Sequence, residues 1–353
     1  MKILITGGAG FIGSKLSISL SSEGHSVYVI DNLISQVHGD NPDLESYTYN
    51  LIKNKVFFIK GDVCNVDVYK KLPIKEFDII LFLVSETGTG QSMYDSFNYC
   101  RTNILSLALL NDILITGVLK TKKILLTSSR SVYGDSSIDD KIIPSKECDI
   151  VDPKSIYAIT KLAQENLLKT GFNGIHKCIV RLQNVYGPGQ SLRNPYTGII
   201  SIFTTAIRNN KKIFIFDDGM MSRDFVYIDD VVNGILCVIH KGLNNEIYNI
   251  GSGTSTTVLY LAKKLKKIYS SNIELDITGE KLNGDIRHNL ADISKIEKIG
   301  WIPKYSFDDG ISNFIKWANS QNTNSNYSIS IEELRKNNIL KNDKFCKSNK
   351  QRL

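Results

Sequence analysis

A chain that places Thr6-Gly7-Gly8-Ala9-Gly10-Phe11-Ile12-Gly13 directly after the apolar run Ile3-Leu4-Ile5 has few folds open to it. Gly7, Gly10 and Gly13 allow a strand to turn sharply, bring backbone close to a phosphate, and let the next helix pack tightly on a sheet. Phe11 to Leu20 reads as that helix, and the free N–H groups of its first turn attract an anion. Glycine spacing alone is a weak signal, so the context decides. Here a strand precedes, a helix follows, and the acidic residue Asp31 closes a second apolar run, Ser26-Val27-Tyr28-Val29-Ile30. A carboxylate at that point accepts hydrogen bonds from an adenosine ribose and repels a 2′-phosphate, which favours NAD over NADP.

The remaining strands extend the same pattern. Val56–Ile59, Asp78–Leu83, Lys123–Thr127 and His176–Leu182 are nearly continuous apolar runs, as in a parallel sheet covered on both faces. The expected fold is therefore α/β, a doubly wound parallel sheet of the Rossmann type with a smaller interleaved C-terminal lobe. Residues 1–182 with 224–250 form the expected NAD-binding domain, 183–223 with 251–321 the substrate lobe, and 322–353 a polar, basic extension. A length of 353 residues, 42% hydrophobic, suffices for that core. The polar stretch Asn32–Asn54 reads as a long functional loop. Asn103–Gly117 reads as a helix apolar on more than one face, able to cover the sheet and meet a partner. Ile331–Leu340 reads as a short helix.

Composition narrows the partners. The formal charge is +7, and Lys341–Leu353 carries five Lys/Arg against one Asp. That end reads as solvated rather than as a nucleic-acid or lipid contact. No apolar run approaches the ~20 residues of a membrane span and no leader precedes the first strand, so the expectation is a cytoplasmic protein. Six scattered cysteines, Cys64, Cys100, Cys148, Cys178, Cys237 and Cys346, read as reduced, mostly core thiols, with no metal site.

Two features carry chemistry. Strand Lys123–Thr127 delivers Ser128-Ser129-Arg130-Ser131-Val132-Tyr133-Gly134 at its carboxyl end, where doubly wound folds keep their reactive groups. Tyr157 and Lys161 lie four apart and share a helix face. An ammonium beside a phenol favours the phenolate, which makes Tyr157 a usable base.

Together, Thr6–Gly13, Asp31, Gly61-Asp62-Val63, Ser128-Ser129, Tyr157-x-x-x-Lys161 and Asn184-Val185-Tyr186-Gly187-Pro188 resemble the extended short-chain dehydrogenase/reductase family of nucleotide-sugar enzymes, over roughly residues 1–319. The resemblance implies that Tyr157 is the base, that Lys161 holds the nicotinamide ribose and tunes Tyr157, and that Ser129 bonds the reacting hydroxyl. It implies an NAD site formed by Gly7, Gly10, Phe11, Ile12, Gly13, Asp31, Asn32, Asp62, Val63, Leu83 and Asn103 with Tyr157 and Lys161. For the substrate it implies Ser129, Arg130, Asn184, Arg223 and Arg287, the arginines suiting a diphosphate. It further implies a homodimer that pairs the helices Asn103–Gly117 and Ser155–Thr170.

Within that family the 4,6-dehydratases carry Thr-Asp-Glu where this chain has Ser129, Arg130 and Ser131, so the proton carriers for water loss are missing. Ser35–Gly39, Glu86–Tyr94, Ser128–Arg130 and Gln183–Leu192 resemble the dTDP-L-rhamnose 4-epimerase group. The expected activity is NAD-dependent 4-epimerisation of a dTDP-6-deoxyhexose. A 4-ketoreductase, an epimerase of another sugar nucleotide, and a non-catalytic NAD sensor are the alternatives. His38 and Gln91 could reach sugar or phosphate, although loop histidines are more often solvated.

Overall fold

The computed structural model describes residues 1–138, 141–196, 198–323 and 327–342. Seven strands form its main sheet: β1 (Lys2–Thr6), β2 (Ser26–Asp31), β3 (Phe57–Lys60), β4 (Glu76–Phe82), β5 (Lys120–Ser129), β6 (His176–Leu182) and β7 (Glu246–Ile250). The spatial order is β7-β6-β5-β4-β1-β2-β3, with every pair parallel. Alternate residues of β1 show why its run is unbrokenly apolar: Ile3 and Ile5 enter the core on one face and Leu4 the core on the other. The chain order reverses between β1 and β4, and a crevice opens there beyond the carboxyl ends of the strands.

Eight longer helices surround the sheet and build the lobe: α1 (Phe11–Ser22), α2 (Ser106–Ile115), α3 (Ile156–Thr170), α4 (Ile199–Arg208), α5 (Ile228–Lys241), α6 (Val258–Ile268), α7 (Phe307–Asn319) and α8 (Tyr327–Lys336). Ser155, Thr257 and Ser306 cap α3, α6 and α7 by accepting from the N–H groups of Ala158, Tyr260 and Asp309. The lobe is stitched by short pairings between segments distant in sequence. Ser222–Arg223 pairs with Thr256–Thr257, Ile213–Ile215 with Leu275–Ile277, and Phe225–Tyr227 with Asn184–Tyr186.

Four expectations need correction. Asn32–Asn54 is not a simple loop: it folds into short helices at Ser35–His38, Pro42–Glu45 and Tyr47–Ile52, held because His38, Thr48 and Ile52 are buried. The expected helix Asn103–Gly117 starts as a π-helical turn, Cys100–Leu105, before α2. The C-terminal helix begins earlier than Ile331 and ends at Lys336; Leu340–Asn342 is instead a strand paired with Glu280–Leu282. Of the cysteines only Cys178 is buried among those described, and Cys148 is exposed, although all five described thiols are free. Cys346 and most of the basic end lie outside the described residues. Among the described residues no helix is long and apolar enough to cross a membrane, and no cluster could hold a metal ion.

Candidate active site

A cavity of about 560 Å³ runs along the carboxyl edge of the sheet into the lobe. At its first end the glycine loop leaves no room for side chains. A Cβ on Gly13 would lie 2.3 Å from Gly7 O, and one on Gly7, whose φ is +74°, 2.9 Å from Val84 N. Ser14 N makes the first bond of α1, to Gly10 O at 2.9 Å, so the N–H groups of Phe11, Ile12 and Gly13 precede the helical ladder and line the cavity. Asp31, at the tip of β2, is oriented by the N–H groups of Ala9 (3.0 Å) and Leu33 (2.9 Å). Asn32, Asp62, Val63 and Leu83 complete that wall. Asp62 is fixed by Cys64 N at 2.9 Å and by Arg101. A cradle that excludes Cβ atoms, exposed helix N–H groups and an oriented carboxylate fit a dinucleotide: diphosphate on α1, adenosine ribose at Asp31.

Where the two halves meet, β5 ends in Ser129 and the 3₁₀ turn Arg130–Tyr133, opposite Tyr157 in the first turn of α3. Ser129, Arg130 and Tyr157 all line the cavity. Burial pushes the Tyr157 phenol upward, while the Ser129 hydroxyl and the Arg130 charge pull it back down. Lys161 lies behind the wall, donating from Nζ to Thr127 O at 3.0 Å, and burial lowers its pKa to about 7 against the pull of Glu165. The Arg130 charge acts on the phenol from the cavity wall, while Lys161, four residues along α3, bonds to backbone. Beneath them Glu165 accepts from Ser128 Oγ at 2.6 Å and pairs with Arg181 at 2.7 Å, tying α3 to β5 and β6 in the dry interior.

Asn103 also stands behind the wall. Its amide accepts from Glu86 N (2.8 Å) and donates to Glu86 O and Thr160 Oγ1, joining the cavity loop after β4 to the helix that carries Tyr157. His38 is buried rather than solvated, its Nδ1 2.7 Å from Ser46 Oγ and its Nε2 3.9 Å from Asp31, and burial lowers its pKa. Gln91 lines the cavity, exchanges hydrogen bonds with Gln36 and accepts one from the Tyr99 hydroxyl.

In the lobe, Asn184 and Arg223 reach the cavity. Asp285 takes Arg223 in a two-pronged pair at 2.8 and 2.9 Å. Arg287 is not on the cavity wall; it is half-exposed and pairs with Asp217 and Asp218 at 3.2 and 2.8 Å. Sequence reasoning missed three features. Gln183 is buried with both amide atoms unpartnered among the described residues, an expensive arrangement beside a cavity that can supply a polar group. Its signal was a polar residue at the end of an apolar strand. Asp285 was visible beside Arg287, yet nothing local pointed to Arg223. Ile331 and Leu334 of α8 line the cavity from the C-terminal extension, and their periodicity marked a helix without indicating where it docks.

The sequence profile of the NAD dependent epimerase/dehydratase family matches residues 3–251. The chain is 34% identical over 350 residues to dTDP-L-rhamnose 4-epimerase of Burkholderia thailandensis, covering 90% of this chain and 94% of that protein. Among solved structures it resembles the UDP-glucose 4-epimerase of Thermotoga maritima with UDP-glucose (TM-score 0.79, 29% identity, 90% of this chain and 99% of that one). It also resembles the Bacillus cereus UDP-glucuronic acid 4-epimerase in complex with UDP-glucuronic acid and NAD (TM-score 0.78, 28% identity, 90% and 99%).

Proposed function

The chain belongs to the NAD-dependent epimerase/dehydratase family, and from that premise we propose that it is a nucleotide-sugar 4-epimerase acting on a dTDP-6-deoxyhexose, interconverting dTDP-L-rhamnose and dTDP-6-deoxy-L-talose through a 4-keto sugar. The observation that carries the reading is the composition of the seam: a phenol, Tyr157, faces Ser129, Arg130 and Ser131, with no carboxylate at these positions to expel water from the sugar. Proton transfer at one oxygen is provided for, and dehydration is not. The thymidine nucleotide and the deoxysugar rest on likeness to the Burkholderia protein.

In this reading bound NAD supplies a reversible hydride acceptor at the sugar carbon. Tyr157 Oη takes the proton of the C4 hydroxyl as that carbon becomes a ketone, and returns it when the ketone is reduced from the other face. Ser129 Oγ bonds the same oxygen. Asn184 and the Arg223–Asp285 pair hold the diphosphate, leaving the sugar free to turn. The domain division follows: residues 1–182 with 224–250 carry NAD, and 183–223 with 251–321 carry the sugar nucleotide.

Purified protein incubated with a panel of dTDP- and UDP-sugars, with products read by NMR, tests the proposal. The expected result is C4 inversion without added cofactor. A preparation that consumes NADPH stoichiometrically is a ketoreductase instead. We also propose a homodimer. Phe97, Leu105, Ile115 and Ile159 lie exposed on and around α2 and α3, and such apolar surface marks an interface. Sedimentation that finds a fully active monomer rejects it.

A further inference from the structure

Of the side chains that bury an unpartnered polar atom among the described residues, Gln183 alone lines the cavity. It is 5% exposed, and neither Oε1 nor Nε2 has a hydrogen-bond partner there. A primary amide offers two donors and an acceptor, and burying them unmatched costs free energy. The polar groups around it are already committed. Asp224, which a Cβ on Gly251 would meet at the same 2.6 Å as it would Gln183 Cγ, accepts from Ser252, Gly253 and Ala291. Asn184 donates from its amide to Asp224 O and Asn289 Oδ1. The cavity is the open source of a partner, and a ligand that supplies one recovers the cost.

The position of Gln183 limits which part of a ligand it meets. β5 and β6 run parallel with Ser129 beside Leu182, so Gln183 stands one step beyond the neighbour of Ser129. Its N–H donates to Ile250 O at 3.0 Å, which fixes it at the tip of β6 against β7. The glycine loop follows β1, and β5 and β4 lie between that strand and β6. Gln183 instead opens the segment that leaves the sheet for the lobe, where Asn184–Tyr186 pairs with Phe225–Tyr227. It therefore lies on the sugar side of the seam, just past the serine that bonds the reacting hydroxyl.

On the epimerase reading above, on which this inference rests, a 6-deoxyhexose held through C1 carries hydroxyls at C2, C3 and C4. Tyr157 and Ser129 take the one at C4. The two that remain are neighbours, and adjacent hydroxyls match an amide, one accepting from Nε2 and the other donating to Oε1. We propose that Gln183 is a specificity-determining residue whose side-chain amide binds the C2 and C3 hydroxyls of the sugar. No covalent bond or proton changes hands at Gln183. Two hydrogen bonds are few enough to give way when the ketone turns, and a group that both donates and accepts can take up ring oxygens again in the second orientation. A sugar lacking either hydroxyl leaves the buried amide unmatched, and the site rejects it for that reason.

The test uses dTDP-L-rhamnose, its 2-deoxy and 3-deoxy counterparts and dTDP alone, with affinity read by calorimetry and kcat/KM by product NMR. The parent should favour the full sugar over either deoxy compound by about 10²-fold in kcat/KM and by about tenfold or more in affinity. In Gln183→Met, which keeps the length of the side chain and drops the amide, both preferences should collapse. Bound NAD and dTDP affinity should match the parent and Tm should not fall, since an unpartnered amide adds nothing to the unliganded fold. Gln183→Leu should behave alike, so that a packing fault of one side chain is not mistaken for the effect. Preferences retained in both variants overturn the proposal, as does a parent that binds dTDP-L-rhamnose no better than its deoxy counterparts. Loss of NAD with the preference intact would make Gln183 a cofactor ligand. A lower Tm with the preference intact would mean that water bridges it to the unpartnered Nδ2 of Asn289, and either result overturns the proposal. Affinity is read without turnover, so a parent that discriminates the sugars but inverts none counts against the epimerase reading alone.

Discussion

The half of the cavity that we assign to NAD is built around one stretch of backbone, residues 7–13, where Gly7 and Gly13 leave no room for a side chain. The half that we assign to the sugar nucleotide is walled by side chains from Arg130, Asn184, Arg223 and Leu334, more than 200 residues apart at the extremes. A backbone cradle recognises the diphosphate that all dinucleotides share, and this loop arrives in one turn of chain. The other half recognises a particular sugar, and only the folded lobe brings its parts together. Each half should therefore fail separately when altered, and the seam between them should fail most.

Tyr157 sits at the seam. Tyr157→Phe should reduce kcat by about 10³-fold, roughly 4 kcal/mol in the barrier, because the proton has no other oxygen to reach. NAD content should stay near that of the parent, since one hydroxyl is all that is lost. A variant with near-normal turnover would break the comparison at its centre, because neither half would then depend on the phenol.

Lys161, two walls deep, sharpens the same point through pH. Its folded pKa, about 7, lies below the ordinary lysine value of 10.5, so the unfolded chain binds the extra proton between those limits. Stability contributed by this site should thus rise as pH climbs from about 7 towards 10.5, by as much as a few kcal/mol. The difference in urea midpoint between parent and Lys161→Met, followed across that range, isolates it from other titrations. A flat difference would show that the ammonium is charged and paired in the folded site.

These contrasts explain what could be read from the chain. The glycine loop, Asp31 and the strand periodicity are local, and local signals survive in a sequence. So did Ser129 and Tyr157, because strand end and helix start are both visible. The placement of the cations is less legible. Lys161 has the right spacing to reach the phenol, but its ammonium turns to Thr127 O. Arg130 has no spacing signal at all, yet it shares the cavity wall with Tyr157 because β5 and α3 pack side by side. Arg287 matched a motif, yet Asp217 and Asp218 hold it away from the cavity wall. Which carboxylate claims which arginine is a tertiary fact.

On the cofactor side the sharper probe is Asp31→Ala. It removes a carboxylate that Ala9 and Leu33 have already aimed, and with it charged hydrogen bonds to a ribose worth about 1.5–3 kcal/mol. NAD affinity should fall tenfold or more by titration, and the preference over NADP should narrow, because the 2′-phosphate loses its repelling neighbour. KM for the sugar nucleotide, measured at saturating NAD, should not move. Unaltered discrimination would place the ribose contact elsewhere.

The smallest expected effect tests the far wall of the substrate half. Residues 327–342 cross the lobe as α8 and a strand, anchored where Glu333 accepts from Tyr94 and Tyr196, where Arg335 grips Glu280 at 2.8 Å, and where Leu340–Asn342 pairs with Glu280–Leu282. Leu334 packs so closely on the loop after β4 that a Cβ at Gly90 would come within 2.9 Å of it. With the backbone anchored independently of this side chain, Leu334→Ala should leave α8 in place and open space against the substrate. Losing two or three apolar carbons from a wall costs binding about 1 kcal/mol once neighbours relax, so KM for the sugar nucleotide should rise up to tenfold. NAD content and the pH profile of kcat should be unchanged, since α8 reaches neither the glycine loop nor Tyr157. An equal loss of NAD would mean that the strap holds the whole cavity rather than one half, and an unmoved KM would put the substrate out of its reach.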